Sequence, residues 1–206
     1  MMTKPTLTRR AITLGALALS LPFALPGAAR ALGQSEAEAF VTEVIEELRS
    51  LIDAGDGGAT GAGRFLDLIE RRSAVDAVAR FALGRAWRDM SEAQQTKYLA
   101  AFRDYVSRTY QKRFGEYSGE DIAVTGSLDA GNKGVLVKSV LKRSAGEPIA
   151  VEWLVSDRTG ATLLSDIMFE GVSLAVTLRE TFGAMLEKRN GDVDAFLADL
   201  VASDGA

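Results

Sequence analysis

Three residues late in the chain have the types and the spacing to do chemistry. They are Asp166, Glu170 and Arg179, in the run D-I-M-F-E-G-V-S-L-A-V-T-L-R-E-T-F from Asp166 to Phe182. Two carboxylates could form an acid–base pair, and a guanidinium could grip a phosphate bidentately or hold a carboxylate. The alternation before Gly171 reads as a strand, on which residues four apart share a face but lie about 13 Å apart. That exceeds the separation of glycosidase pairs, so the spacing favours a structural use over catalysis. Glu170 falls beside the start of the following helix, where the macrodipole favours an anion. Drawn at about 100° per residue, that helix places Val172, Ala175, Val176, Phe182 and Leu186 on one arc, with Arg179 inside it. A buried unpaired charge costs several kcal/mol. Arg179 is therefore expected to pair with Asp166 or Glu170, with Gly171 making the join: a brace, with no catalytic residue assigned.

The 206-residue chain contains no His and no Cys. This removes Ser-His-Asp and Cys-His nucleophilic sites, Cys/His zinc sites, disulfides and lipid anchors through Cys. No metal and no cofactor is expected. With 47% hydrophobic residues the chain can build a sizeable core.

Residues 1–31 read as an export signal. Lys4, Arg9 and Arg10 precede an apolar run from Ala11 to Leu25, and Ala29-Arg30-Ala31 is an A-x-A cleavage site. The Arg9-Arg10 pair also fits the twin-arginine type, while Pro22, Pro26 and Gly27 interrupt the run short of a comfortable membrane span. Cleavage near Ala31 leaves 20 basic against 28 acidic residues, a net charge near −8. That balance, without any large Lys/Arg block, argues against nucleic acid and against permanent residence on an anionic bilayer. The mature part reads as one domain, 32–203, with a short tail at 204–206.

The elements that must position Asp166, Glu170 and Arg179 follow from periodicity. Ser35-x-x-Glu38 reads as a capping box opening a helix with Phe40, Val41, Val44, Ile45, Leu48, Leu51 and Ile52 on one side. Asp53 to Gly63 is glycine-rich, lacks G-K-[ST], and reads as a flexible connection rather than a phosphate loop. Arg64–Arg72 and Ala74–Trp87 are predicted helices. Ser91 and Gln94 form a second capping box before the longest helix, about Glu92 to Phe114, whose Tyr98, Phe102, Tyr105, Val106, Tyr110 and Phe114 cover half its circumference. After Tyr117-Ser118-Gly119 the period becomes two. Residues 122–128, 134–142, 149–156 and 161–169 read as four strands joined by hairpin-like connections at 129–132, 144–147 and 157–160. Val135, Val137 and Leu141 share one face, as do Ile149, Val151, Trp153 and Val155, and Asp192 caps a last short helix. The predicted architecture is α+β: N-terminal helices, a four-stranded antiparallel meander, then two C-terminal helices, enclosing an apolar cavity.

D-x-x-x-E-G-V-S-L followed by R-x-x-F, after a four-strand meander, resembles the MlaC (toluene-tolerance) family of periplasmic phospholipid carriers. The segment W-R-D-M-S-E-A-Q-Q…F-R-D-Y-V…Y…Y-S-G is similar to that family's long helix and the Tyr-Ser-Gly before its first strand. The resemblance spans about Glu36 to Val201 and is most specific over Glu170–Leu174. One departure is Leu178, where the family commonly has a tyrosine just before the arginine.

The resemblance implies a non-enzymatic periplasmic shuttle that maintains outer-membrane lipid asymmetry. It would carry glycerophospholipid between an inner-membrane ABC transporter complex and an outer-membrane lipoprotein–porin complex, with only transient membrane proximity. The acyl tails would lie between sheet and helices, and the lining expected here is Phe102, Tyr105, Val137, Val151, Trp153 and Val172. Two other readings stay open: an exported carboxylate-dependent enzyme in an α+β pocket, and a lipid-free interaction subunit of a transporter.

Overall fold

Ala37, Val41, Val44 and Ile45 fall on one stripe of α1 (Gln34–Asp53), and that stripe is buried against a sheet. The computed structural model describes residues 32–54, 58–115, 121–143 and 146–203. The signal reading of residues 1–31, the Tyr117-Ser118-Gly119 boundary and the tail at 204–206 lie outside the described residues. So do Ser144-Ala145 and the side chains of Tyr110 and Phe114.

The start of α1 differs from expectation. Gly33 is its N-cap and no side chain caps it, so Ser35 and Glu38 form no box. Glu38 instead accepts a hydrogen bond from the Ser127 hydroxyl at 2.6 Å, tying α1 to the first strand. The glycine-rich stretch is also shorter as a connection, because α2 (Gly58–Arg72) already includes residues 58–63. Phe65 and Leu68 of α2 bury against Leu48, and that contact offsets the weak helix propensity of the glycines.

One predicted helix over 74–87 is two: α3 (Val75–Leu83) and α4 (Ala86–Asp89). Gly84 separates them at φ +60, a conformation that favours glycine. Next comes α5 (Glu92–Gly115), opened by the expected box: the Gln94 N–H donates to Ser91 Oγ at 3.3 Å and the Ser91 N–H to Gln94 Oε1 at 3.0 Å.

The four long strands are β1 (Asp121–Asp129), β2 (Val135–Lys142), β3 (Ile149–Ser156) and β4 (Leu163–Phe169). They form an antiparallel meander, and a fifth strand, β5 (Val172–Ser173), pairs with β4, so the sheet has five strands in sequence order rather than four. The sequence reading runs the strand straight through Gly171 into a helix. Glu170 and Gly171 instead sit at φ +49 and +77, the paired positive values of a two-residue type I′ hairpin. Register sets Val135 opposite Val155, Val137 opposite Trp153 and Ser139 opposite Val151, so these side chains share the face turned to α1.

Two helices close the chain: α6 (Leu174–Lys188) and α7 (Val193–Ala202). Asp192 caps α7 by accepting from the Ala195 N–H at 3.0 Å. Packing of α3, α5, α6 and α7 gathers Tyr98, Phe102, Phe182 and Phe196 into a second core, with ring centroids about 6 Å apart. Burial pushes the Tyr98 phenol pKa up, and its O–H donates to the Ala79 carbonyl at 2.8 Å.

Candidate functional site

A pocket of about 180 Å³ lies where the sheet, α1, α2, α3, α5 and α6 fail to meet. Each element contributes the apolar stripe that its periodicity dictates. Val44 and Leu48 come from α1, Phe65 and Leu68 from α2, and Phe102 and Val106 from α5. The sheet supplies Val151 and Trp153 from β3 with Ile167 and Phe169 from β4, and α6 adds Ala175 and Leu178. The accessible wall is almost wholly hydrocarbon.

Four polar residues border the pocket: Arg72, Ser73, Ser165 and Asp166. Arg72-Ser73 and Ser165-Asp166 flank one clip in sequence: Ser73 bridges Leu164 and the Ala74 N–H donates to the Leu164 carbonyl at 2.8 Å, joining the α2–α3 junction to β4. Neither charge among them is free. Arg72 donates to Glu47, reaches Glu43 at 3.2 Å and lies over the Phe40 ring at 5.4 Å. The Arg72 guanidinium holds the Glu47 carboxyl below its ordinary range, and Glu47 raises Arg72 in return.

Asp166 is equally committed. It accepts from the N–H groups of Ile167 at 2.9 Å and Ala175 at 3.0 Å and from the Ser173 hydroxyl. Ser173 is the N-cap of α6 and accepts from the Val176 N–H at 3.1 Å. The anion at the α6 N-terminus is thus Asp166, where the sequence reading puts Glu170. Glu170 grips β3: its N–H donates to the Ala150 carbonyl at 2.9 Å and its carboxylate accepts from the Ala150 N–H. Both carboxylates spend oxygens on backbone donors.

The expected ion pair of Arg179 is corrected. Arg179 is exposed; its guanidinium stacks on Phe81 at 5.1 Å and donates to the Phe81 carbonyl at 3.4 Å. Gly84 leaves room for it, since a Cβ there would come within 3.2 Å of the guanidinium. The reason is helix phase. The hairpin at Glu170–Gly171 rotates the start of α6, so Ala175, Leu178 and Phe182 face inward while Val176 and Arg179 face out. Leu178, the departure from the family pattern, occupies the buried position.

Of the six expected lining residues, Phe102, Val151 and Trp153 border the pocket. Tyr105 is buried in the helical core, edge-on to Phe182 at 5.3 Å, and Val137 is buried under the sheet face opposite Trp153. Val172 is corrected: it is 62% exposed on β5, outside the pocket. Wall residues missed by that set include Val44, Leu48, Phe65 and Ile167. The stripes of all but Phe65, which lies on α2, were visible in the α1 and β4 patterns, but which stripe borders a void depends on how elements separate.

Among the described residues no three His, Cys, Asp or Glu are grouped to hold a metal, and no helix is long and apolar enough to cross a membrane. The family described as MlaC protein matches residues 38–202 of the chain. A solved structure, the phospholipid-binding protein from Ralstonia solanacearum in complex with a phospholipid, is similar in fold. Its TM-score is 0.69 at 22% identity, covering 82% of this chain and 96% of that one.

Proposed function

The chain belongs to the MlaC family, and on that premise we propose that it is a phospholipid-binding carrier whose acyl cargo occupies the pocket between sheet and helices. The observation that carries this reading is the wall itself: hydrocarbon side chains from six elements, with every bordering charge already paired. Magnitudes favour it. A two-tailed lipid carries on the order of 30 methylenes, and at about 0.8 kcal/mol each their exposure would cost on the order of 25 kcal/mol. A carrier must sheath the tails in apolar surface; charge-assisted contacts of a few kcal/mol at a headgroup do not substitute.

Residues 1–31 then serve as the export signal, cleaved near Ala31 and of a type compatible with twin-arginine export. The mature 32–203 domain works in the periplasm. It exchanges glycerophospholipid with an inner-membrane ABC transporter complex and an outer-membrane lipoprotein–porin complex, supporting lipid asymmetry without enzymatic turnover. Among the described residues the one carboxylate bordering the pocket, Asp166, is taken up by the Ile167 and Ala175 N–H groups and the Ser173 hydroxyl, which favours this reading over a carboxylate-dependent enzyme.

The deciding experiment is mass spectrometry of the organic extract of purified mature protein, followed by transfer of labelled phospholipid between liposomes. Near-stoichiometric phospholipid and transfer above the protein-free rate are expected. Empty protein that moves no lipid would end the carrier reading in favour of a lipid-free interaction subunit.

A further inference from the structure

Ser139 places a hydroxyl where the rest of the fold places hydrocarbon. It is 2% exposed in the middle of β2, on the face that carries Val135, Val137, Val151 and Val155. Its Oγ accepts from Trp153 Nε1 at 2.8 Å and donates to the Val151 carbonyl at 3.0 Å, so both partners of the hydroxyl are inside the sheet. Trp153 is 4% exposed, stands on the central strand and borders the pocket, whereas Ser139 does not touch it. A buried indole N–H seeks an acceptor, and the plane of the ring follows that acceptor. With the N–H turned into the sheet, the indole is presented to the pocket as a fixed apolar panel.

Resting on the carrier reading above, we propose that Ser139 is a positioning residue for acyl-chain selection: it locks the Trp153 indole as the wall that decides which tail lengths the pocket accepts. A hydrophobic pocket discriminates between ligands differing by methylenes only when its walls cannot move. Val at position 139 would fill the face as well but would leave the indole free to turn into the void beside it. The hydroxyl therefore contributes shape rather than polarity to the lipid site.

The test loads the mature protein from vesicles containing equal amounts of dimyristoyl-, dipalmitoyl- and distearoyl-phosphatidylglycerol, then identifies the retained lipid by mass spectrometry. Wild type should retain an uneven distribution. Ser139→Ala should shift the distearoyl-to-dimyristoyl ratio roughly tenfold, the discrimination one methylene carries in an apolar pocket. Ser139→Thr, which keeps the hydroxyl, should restore it. Because Ser139 acts through the indole, Trp153→Phe and the double variant W153F/S139A should share one distribution; if Ser139→Ala alone does not fold, Ser139→Val, which fills the face without an acceptor, should give the same shift, and an unchanged ratio there overturns the proposal equally. An unchanged ratio in Ser139→Ala, or an undiminished effect of that change in the Trp153→Phe background, overturns the proposal. If wild type and variants alike retain no phospholipid, it is the carrier reading that has failed.

Discussion

The molecule holds two apolar regions of similar composition and opposite finish. Between α3, α5, α6 and α7 the rings of Tyr98, Phe102, Phe182 and Phe196 interlock edge to face, and Phe182 and Phe196 are wholly buried. Between the sheet and α1, α2 and α5, equally apolar side chains stop short of one another and leave a pocket. Helices can slide and rotate until their ridges interdigitate, and aromatic rings fill what remains. A twisted sheet presents a surface fixed by its ladder, and here three contacts fix where the helices meet it and one another. These are the Arg72–Glu47–Glu43 cluster, the Ser73–Leu164 clip and the Glu38–Ser127 bond. Hydrophobicity selects what is inside; the anchoring of the frame decides whether the inside closes. Phe102, Val106 and Leu178 belong to both regions, so the closed core serves as the rigid wall of the open one.

The strongest way to break this contrast is Phe182→Ala. Removing the ring from the closed core should cost about 3–5 kcal/mol of unfolding free energy in a denaturant titration. A cost under about 1 kcal/mol would mean the core relaxes as easily as the pocket. A matched pair of enlargements sharpens it further. Ala79→Leu, in the closed core, should cost about 1–3 kcal/mol with lipid content preserved, since overpacking forces strain. Val151→Phe, at the pocket wall, should be nearly neutral in stability and displace lipid from the extract; the reverse pattern would exchange the roles of the two regions.

Asp166→Ala acts where the regions join. It removes the acceptor for Ala175 N–H and Ser173 Oγ at the start of α6, and should cost roughly 1 kcal/mol, as helix caps do. Differential scanning calorimetry checks this, and Asp166→Asn should recover part of it. Arg179→Ala should cost less, about 0.5–1 kcal/mol for an exposed cation–π contact. The retained headgroups should be unchanged by mass spectrometry; a changed headgroup profile would make Arg179 a lipid contact.

The smallest effect concerns pH. Glu47 has its pKa lowered by Arg72 from an ordinary 4.5. A depressed carboxyl contributes stability that is complete above its unfolded value and is lost as pH falls through the folded one. Acidification below about 4.5 should therefore loosen the α1–α2 contact before the aromatic core, and Glu47→Gln should abolish that step. Hydrogen exchange of α2 amides against α5 amides reads the difference.

Much of the frame was legible in the residues alone. Alternation placed the four long strands within two residues, because side chains two apart must share a face wherever one face is buried. Ser91 with Gln94, and Asp192, announced helix starts because a short polar side chain at that position satisfies an orphan N–H locally. The absence of His and Cys removed whole classes of chemistry before any fold was known. The family was legible in the block from Glu170 to Leu174.

What the tertiary structure decided was phase, partnership and emptiness. Two positive φ angles at Glu170 and Gly171 turned the start of α6 far enough to send Arg179 to Phe81 and Val172 to solvent, and to bring Asp166 under the helix N-terminus. Local patterning carries no record of such a rotation, because Val172 and Leu178 are apolar in either phase. The pocket is further still from the sequence: a void is the difference between surfaces on separate elements, and no single stripe contains it. The brace read in Asp166–Phe182 is therefore half determined by its residues. Asp166 ties sheet to helix through the Ala175 N–H and the Ser173 hydroxyl, whereas Glu170 ties the turn before β5 to β3, and which atoms each holds was settled only when β3, β4 and α6 met.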